Sequence, residues 1–128
     1  MAKCSYQSKV AEFAKIFKCY QSDVTTLPEN SIRDIRKKLL KEEYEEYVVG
    51  EEENDIVQIA DALTDMLYII FGTAEAYGIV LEETFDEVHR SNLTKLDAEG
   101  NPIFREDGKV LKGENYQPPD IKKILKLE

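Results

Sequence analysis

The chain has 128 residues, 42% apolar and 34% charged, with 17 Lys+Arg against 26 Asp+Glu and a net charge of −9. This balance excludes a disordered tail and a peptide too short to bury a core, and fits one domain spanning 1–128. The acidity argues against a nucleic-acid partner, and two cysteines (Cys4, Cys19) with a single histidine exclude a disulfide framework or a Cys/His zinc site. No uninterrupted apolar stretch is long enough to span a bilayer, and the polar start lacks the apolar core of a secretory leader, so no membrane and a cytoplasmic address are expected.

Val10, Phe13, Ala14 and Phe17 recur at helical spacing and predict a first helix over 6–19. A turn-rich run over 25–30 breaks it. Ser31, with Asp34 three positions on, predicts the N-cap of a second helix that runs to 49 and is ended by Gly50. Asn54 or Asp55 caps a third helix, which extends to 77, where Gly78 supplies the residue after its end. A fourth helix is read over 82–92. Asp107-Gly108, between 103–106 and 109–112, then predicts a β-hairpin, and Pro118-Pro119-Asp120 starts a last helix over 121–127. The expected fold is all-α: an antiparallel four-helix-type bundle over 1–94, extended over 95–128 by a small C-terminal β-hairpin and a short terminal helix.

Charge is distributed unevenly. Between Glu42 and Val88 there are 15 carboxylates and no Lys or Arg. On the second helix the apolar stripe of Ile32, Ile35 and Leu39 continues through Glu43 and Glu46 to Val49, whereas Glu45 falls with Lys37, Lys38 and Lys41 on the opposite, solvated face. The third helix is apolar except for Asp61 and Asp65, four residues apart, with Gln58 on the same stripe. An unpaired buried carboxylate costs several kcal/mol or is forced to neutrality. These acids must therefore be a frayed charged helix end, be paired with Arg33, Arg36 or Arg90, or form a cage for cations. Antiparallel packing of the two helices brings Glu42, Glu43 and Glu46 to face Asp61 and Asp65. Oxygen-only ligands select Mg²⁺, with Mn²⁺ as a substitute, and Mg²⁺ keeps positions open for water and phosphate oxygens.

Glu43-Tyr44-Glu45-Glu46 and Asp65-Met66-Leu67-Tyr68 resemble the two half-motifs, Glu-x-x-Glu and Glu-x-x-Asp, of the all-α nucleoside triphosphate pyrophosphohydrolases. That MazG-like group includes the phosphoribosyl-ATP pyrophosphohydrolases and is related to dimeric dUTPases. In place of the second motif's glutamate the chain has Ala62, with Asp61 one residue before it; Gln58 with Asp61 is the alternative register. The similarity continues through 85–95 and 106–113 and ends near 116–120. It implies Mg²⁺-dependent cleavage of an NTP or dNTP to NMP and pyrophosphate, as in nucleotide-pool house-cleaning, by a homodimer or homotetramer. It further implies metal ligation by Glu43, Glu46 and Asp65, assisted by Asp61, and places Asn92 and Lys95 near the metal or phosphates. Glu42 or Glu46 is the candidate general base, and Lys109 and Lys112 are candidates to offset phosphate charge. The competing readings are a non-catalytic acidic helical module whose carboxylates pair with a partner's arginines, and a relative that hydrolyses something other than a nucleotide. Tyr44, Tyr47, Phe13 and Phe17 suit either base stacking or the core.

Overall fold

A computed structural model describes residues 3–127; Met1 and Ala2 of the polar start, and Glu128, lie outside the described residues. The chain forms two compact units, one running through Leu81 and the other beginning at Glu82.

The first unit holds α1 (Ser5–Ile16), α2 (Asn30–Glu52) and α3 (Ile56–Tyr77). Along the seam between α2 and α3, Gly50 meets Ile59, Glu46 meets Gln58, and Arg36 meets Ile69 and Thr73. From Gly50 down to Arg36 the partners on α3 move from Ile59 to Ile69 and Thr73, so the two helices are antiparallel, and the chain reverses between them in three residues. Asp55 makes that reversal possible: its side chain accepts from the N–H groups of Val57 and Gln58, capping α3. At the other end of α3, Gly78 takes the left-handed conformation (φ 68°). A Cβ there would meet the Val24 carbonyl, so the site needs glycine both for its φ and for space. α1 lies antiparallel along another side of α3, with Gln7 near Glu75 and Phe13 near Tyr68.

The second helix departs from expectation at both ends. Ser31 is not the N-cap; the helix starts at Asn30, and Glu29 precedes it without a side-chain capping bond. Gly50 does not end α2, which continues to Glu52. Gly50 is instead buried where a Cβ would lie 3.0 Å from Ile59 Cγ1 and 3.1 Å from its nitrogen, so it is the point of close approach between the rods. Gly50→Leu is expected to destabilise the protein by about 2 kcal/mol in urea melts, because several extra atoms must force the helices apart. Gly50→Ala should be nearer neutral, since its gain in helix propensity of about 1 kcal/mol opposes the tight contact.

In the second unit, α4 (Leu81–Leu93, starting one residue before the boundary) and α5 (Ile121–Ile124) are joined by a long loop. The predicted β-hairpin is not formed: among the described residues there is no strand, only a single antiparallel bridge between Phe104 and Val110 across the Asp107-Gly108 turn. Two four-residue arms, exposed and charged, with no third strand to pair with, are too short to make a ladder. The loop is fastened at its base. Ser91 Oγ donates to the Gln117 carbonyl at 2.7 Å, and the Asp120 N–H donates to Glu87, which also holds Arg90 through two bonds. Those bonds pull the Glu87 carboxyl down to about 2. α5 is shorter than predicted, one turn capped by Asp120.

α3 is long and apolar enough to cross a membrane by length and composition (mean hydropathy 1.4), though it carries Asp61, Asp65 and Glu75. Leu63, Leu67 and Ile70 make an apolar stripe along it that the chain leaves exposed.

Candidate metal centre

The acidic turns of α2 and α3 meet. Glu43, Glu46 and Asp65 bring one carboxylate oxygen each within 4.8 Å of one another. The helix geometry accounts for this: Glu43 and Glu46 are three residues apart on the α2 stripe, and Asp65 faces them from α3. Oε2 of Glu43 is buried without a hydrogen-bond partner. Such an oxygen costs free energy wherever nothing electropositive reaches it. No described Lys or Arg forms an ion pair with Glu43, Glu46, Asp61 or Asp65. Arg36 turns instead to the Ile69 carbonyl (2.9 Å) and the Thr73 hydroxyl (3.1 Å), and Arg90 binds Glu87 and Gln117. The frayed-end alternative fails as well, because α2 runs six residues past Glu46.

Crowded like charges shift the titration. Glu43 is raised from 4.5 to about 7, first by burial, then by its hydrogen bond with Glu46 and by the charges of Glu46, Asp65 and Asp61. Asp65 is raised in the same direction by burial and by the charges of Asp61 and Glu46, partly offset by a hydrogen bond with Glu43. An acid whose pKa is higher folded than unfolded holds an extra proton in the folded state. Its contribution to stability is therefore full below about 4.5 and is lost as pH rises through about 7. Glu75 and Glu87 are shifted the other way and titrate below that window. In chelator, the melting temperature is expected to fall between pH 5 and pH 8, and to fall less in Glu43→Gln. Added Mn²⁺ should reverse the trend, because cation and proton compete for the same oxygens.

The remaining sequence candidates are placed less closely. Asp61 is exposed and acts on Glu43 and Asp65 through its charge. Glu42 is exposed and, with Glu45, Glu46, Val49 and Gln58, lines an open cavity of about 440 Å³ beside the cluster. Ala62, which replaces the motif's glutamate, is 1% exposed. Asn92, Lys95, Lys109 and Lys112 all belong to the second unit, where Lys112 lies over the Tyr116 ring. Glu45 pairs with Lys41 on the outer face, as its position on the wheel predicts. Phe13 stacks on Phe17 at 4.3 Å and meets the edge of Tyr68.

Residues 10–92 match the phosphoribosyl-ATP pyrophosphohydrolase family, well over half of the chain. The chain belongs to that family. A stretch of 94 residues is 34% identical to uncharacterized protein L479 of Acanthamoeba polyphaga mimivirus, covering 71% of this chain and 34% of that protein. The chain thus spans about a third of the length of that relative. A crystal structure from Exiguobacterium sp. 255-15, provisionally assigned as an NTP pyrophosphohydrolase, shares the fold at 24% identity with a TM-score of 0.50, over 98% of this chain and 94% of that one.

In this phosphoribosyl-ATP pyrophosphohydrolase family member, two features of the first unit were not read from sequence. Glu75 is a buried carboxylate, 3% exposed, held by Lys3, Gln7 and Gln21. Burial pushes its carboxyl up, but those three donors outweigh burial and leave it below the usual range. Gln58, a candidate for the acidic stripe, donates its amide to the main-chain carbonyl of Glu46 at 2.9 Å.

Proposed function

We propose that the protein is a Mg²⁺-dependent nucleoside triphosphate pyrophosphohydrolase that cleaves an NTP or dNTP to NMP and pyrophosphate, with Mn²⁺ as a substitute cation. One observation carries this reading: three carboxylates from two helices converge with no basic partner among the described residues, and a buried Glu43 oxygen is left unbonded. That donor set fits a hard divalent ion, with Glu43, Glu46 and Asp65 as ligands and Asp61 assigned to assist them. A bound divalent cation supplies neutralisation of phosphate charge and a more acidic water. The chain's own residues do the rest. Glu42, on the rim of the open cavity, or Glu46 accepts the water's proton as general base. Lys95, Lys109 and Lys112, with Asn92, are assigned to the phosphate chain and the leaving pyrophosphate.

Membership of the phosphoribosyl-ATP pyrophosphohydrolase family and the fold shared with the Exiguobacterium protein support the reaction class. The uncovered stripe of Leu63, Leu67 and Ile70 supports a homodimer or homotetramer, which sedimentation at micromolar concentration would detect. The cytoplasm, where such nucleotides are found, is the proposed location. A panel of ribo- and deoxyribonucleoside triphosphates with Mg²⁺ or Mn²⁺, read by pyrophosphate release, tests the proposal. Turnover of at least one, abolished by chelator, is the expected result. No turnover of any, together with chelator-resistant capture of a basic partner, would favour the acidic interaction module.

A further inference from the structure

We propose that Arg36 and Gln58 are positioning residues: two clasps that bracket the acidic cluster and hold α2 and α3 at a fixed separation before any cation binds. The inference deepens the metal-site reading above and rests on it for the role of the cation, though not for the clasps themselves.

Three carboxylates converge across two antiparallel rods with one oxygen each within 4.8 Å, and like charges that close repel. No described base pairs with Glu43, Glu46 or Asp65 to offset that repulsion. The restraint comes from either side. Seven residues before Glu43, about 10 Å along the helix axis, Arg36 reaches across the seam. Its Nη2 donates to the Ile69 carbonyl and its Nε to the Thr73 hydroxyl. The guanidinium lies over Gly72, where a Cβ would collide with it, so α3 is built to receive it. On the far side of the cluster, Gln58 donates to the carbonyl of Glu46, and its stem packs against Gly50, with Cγ 3.3 Å from where a Cβ would stand.

Each clasp takes a main-chain carbonyl of the opposite helix. What they fix is therefore the rods rather than a carboxylate rotamer, leaving the acid side chains free to turn toward a ligand. Gln58 does this without adding charge, which makes it the cleaner probe. Partners bonded to the ligands themselves typically contribute tenfold to a hundredfold in metal affinity, and clasps on the main chain are expected at the lower end of that range.

The test compares Gln58→Leu and Arg36→Met with wild type by amide hydrogen exchange over 43–46 and 62–66 in chelator, and by calorimetric titration with Mn²⁺. Faster exchange in the metal-free variants is expected, with roughly tenfold weaker Mn²⁺ binding. The exchange effect in chelator should shrink when Glu43→Gln is combined with either variant, because a clasp matters less once a repelling charge is gone. A merely structural bond would give additive effects instead. Unchanged exchange in Gln58→Leu, or strict additivity with Glu43→Gln, overturns the proposal even if Arg36→Met fails to fold. If wild type binds no Mn²⁺, the metal reading fails, and the exchange comparison still decides the clasps.

Discussion

Glu43→Gln, Glu46→Gln and Asp65→Asn are each expected to reduce metal-dependent pyrophosphate release by about a hundredfold or more, with helix content by circular dichroism unchanged. Each removes one ionised oxygen ligand from a set of three that meet within 4.8 Å, and a neutral amide oxygen replaces it poorly for a hard divalent ion. Stability should move in the opposite sense. In chelator, Glu43→Gln is expected to melt at or above the wild-type temperature at pH 8, because the wild type must there ionise a carboxyl whose pKa is about 7. Loss of turnover without loss of stability separates a functional role from a packing role. Full activity in all three variants would remove the cage from the reaction.

Glu75→Ala is expected to be the most destabilising of the substitutions discussed here, by about 3–5 kcal/mol in equilibrium unfolding. The carboxylate joins three parts of the first unit. Gln7 from α1 donates to Oε2 at 2.8 Å, Gln21 from the connector donates to Oε1 at 3.0 Å, and Lys3 bonds it from the N-terminal side. Gln7 is fully buried and also donates to the Ile79 carbonyl, while its Oε1 accepts from the Leu81 N–H. Removing Glu75 leaves two amide donors and an ammonium facing a vacancy, and a donor stranded in a buried site costs its full desolvation. Glu75→Gln should cost less, since it preserves shape and one accepting oxygen, although its amide nitrogen then faces a donor from Lys3, Gln7 or Gln21. Nucleotide turnover per folded molecule should persist in both variants, because Glu75 lies ten residues beyond Asp65 on α3 and belongs to the α1 side of the unit.

What could be read from the sequence divides according to how local its cause is. The Asp55 cap and the left-handed Gly78 were legible because each is decided by residues within one turn. Gly50 was not: a glycine that ends a helix and a glycine that admits a neighbouring helix look alike until Ile59 is brought against it. The cluster was legible because Glu43, Glu46, Asp61 and Asp65 stood on stripes that helical periodicity assigns to the interior. Glu75 gave no such signal, since its partners come from 54 and 72 positions away. Arg36 was hidden in a basic run with Lys37 and Lys38, and only α3 distinguishes it from them. The type I′ turn that Asp107-Gly108 suits is not the one formed. The Gly108 N–H donates to the Arg105 carbonyl at 2.9 Å, and Gly108, at φ 88°, takes the positive φ while Asp107 does not. A tight turn does not by itself supply a sheet.

The bonds among Ser91, Thr94 and Gln117, and between Glu87 and Asp120, have a consequence for how this part of the chain tolerates change. They cinch the neck of the excursion between α4 and α5, so its ends meet whatever its contour length. Lengthening such a closed excursion at the Gly108 tip adds only about 0.6 kcal/mol per doubling. As far as stability is concerned, inserted residues are therefore tolerated at the tip, while the neck residues remain under constraint.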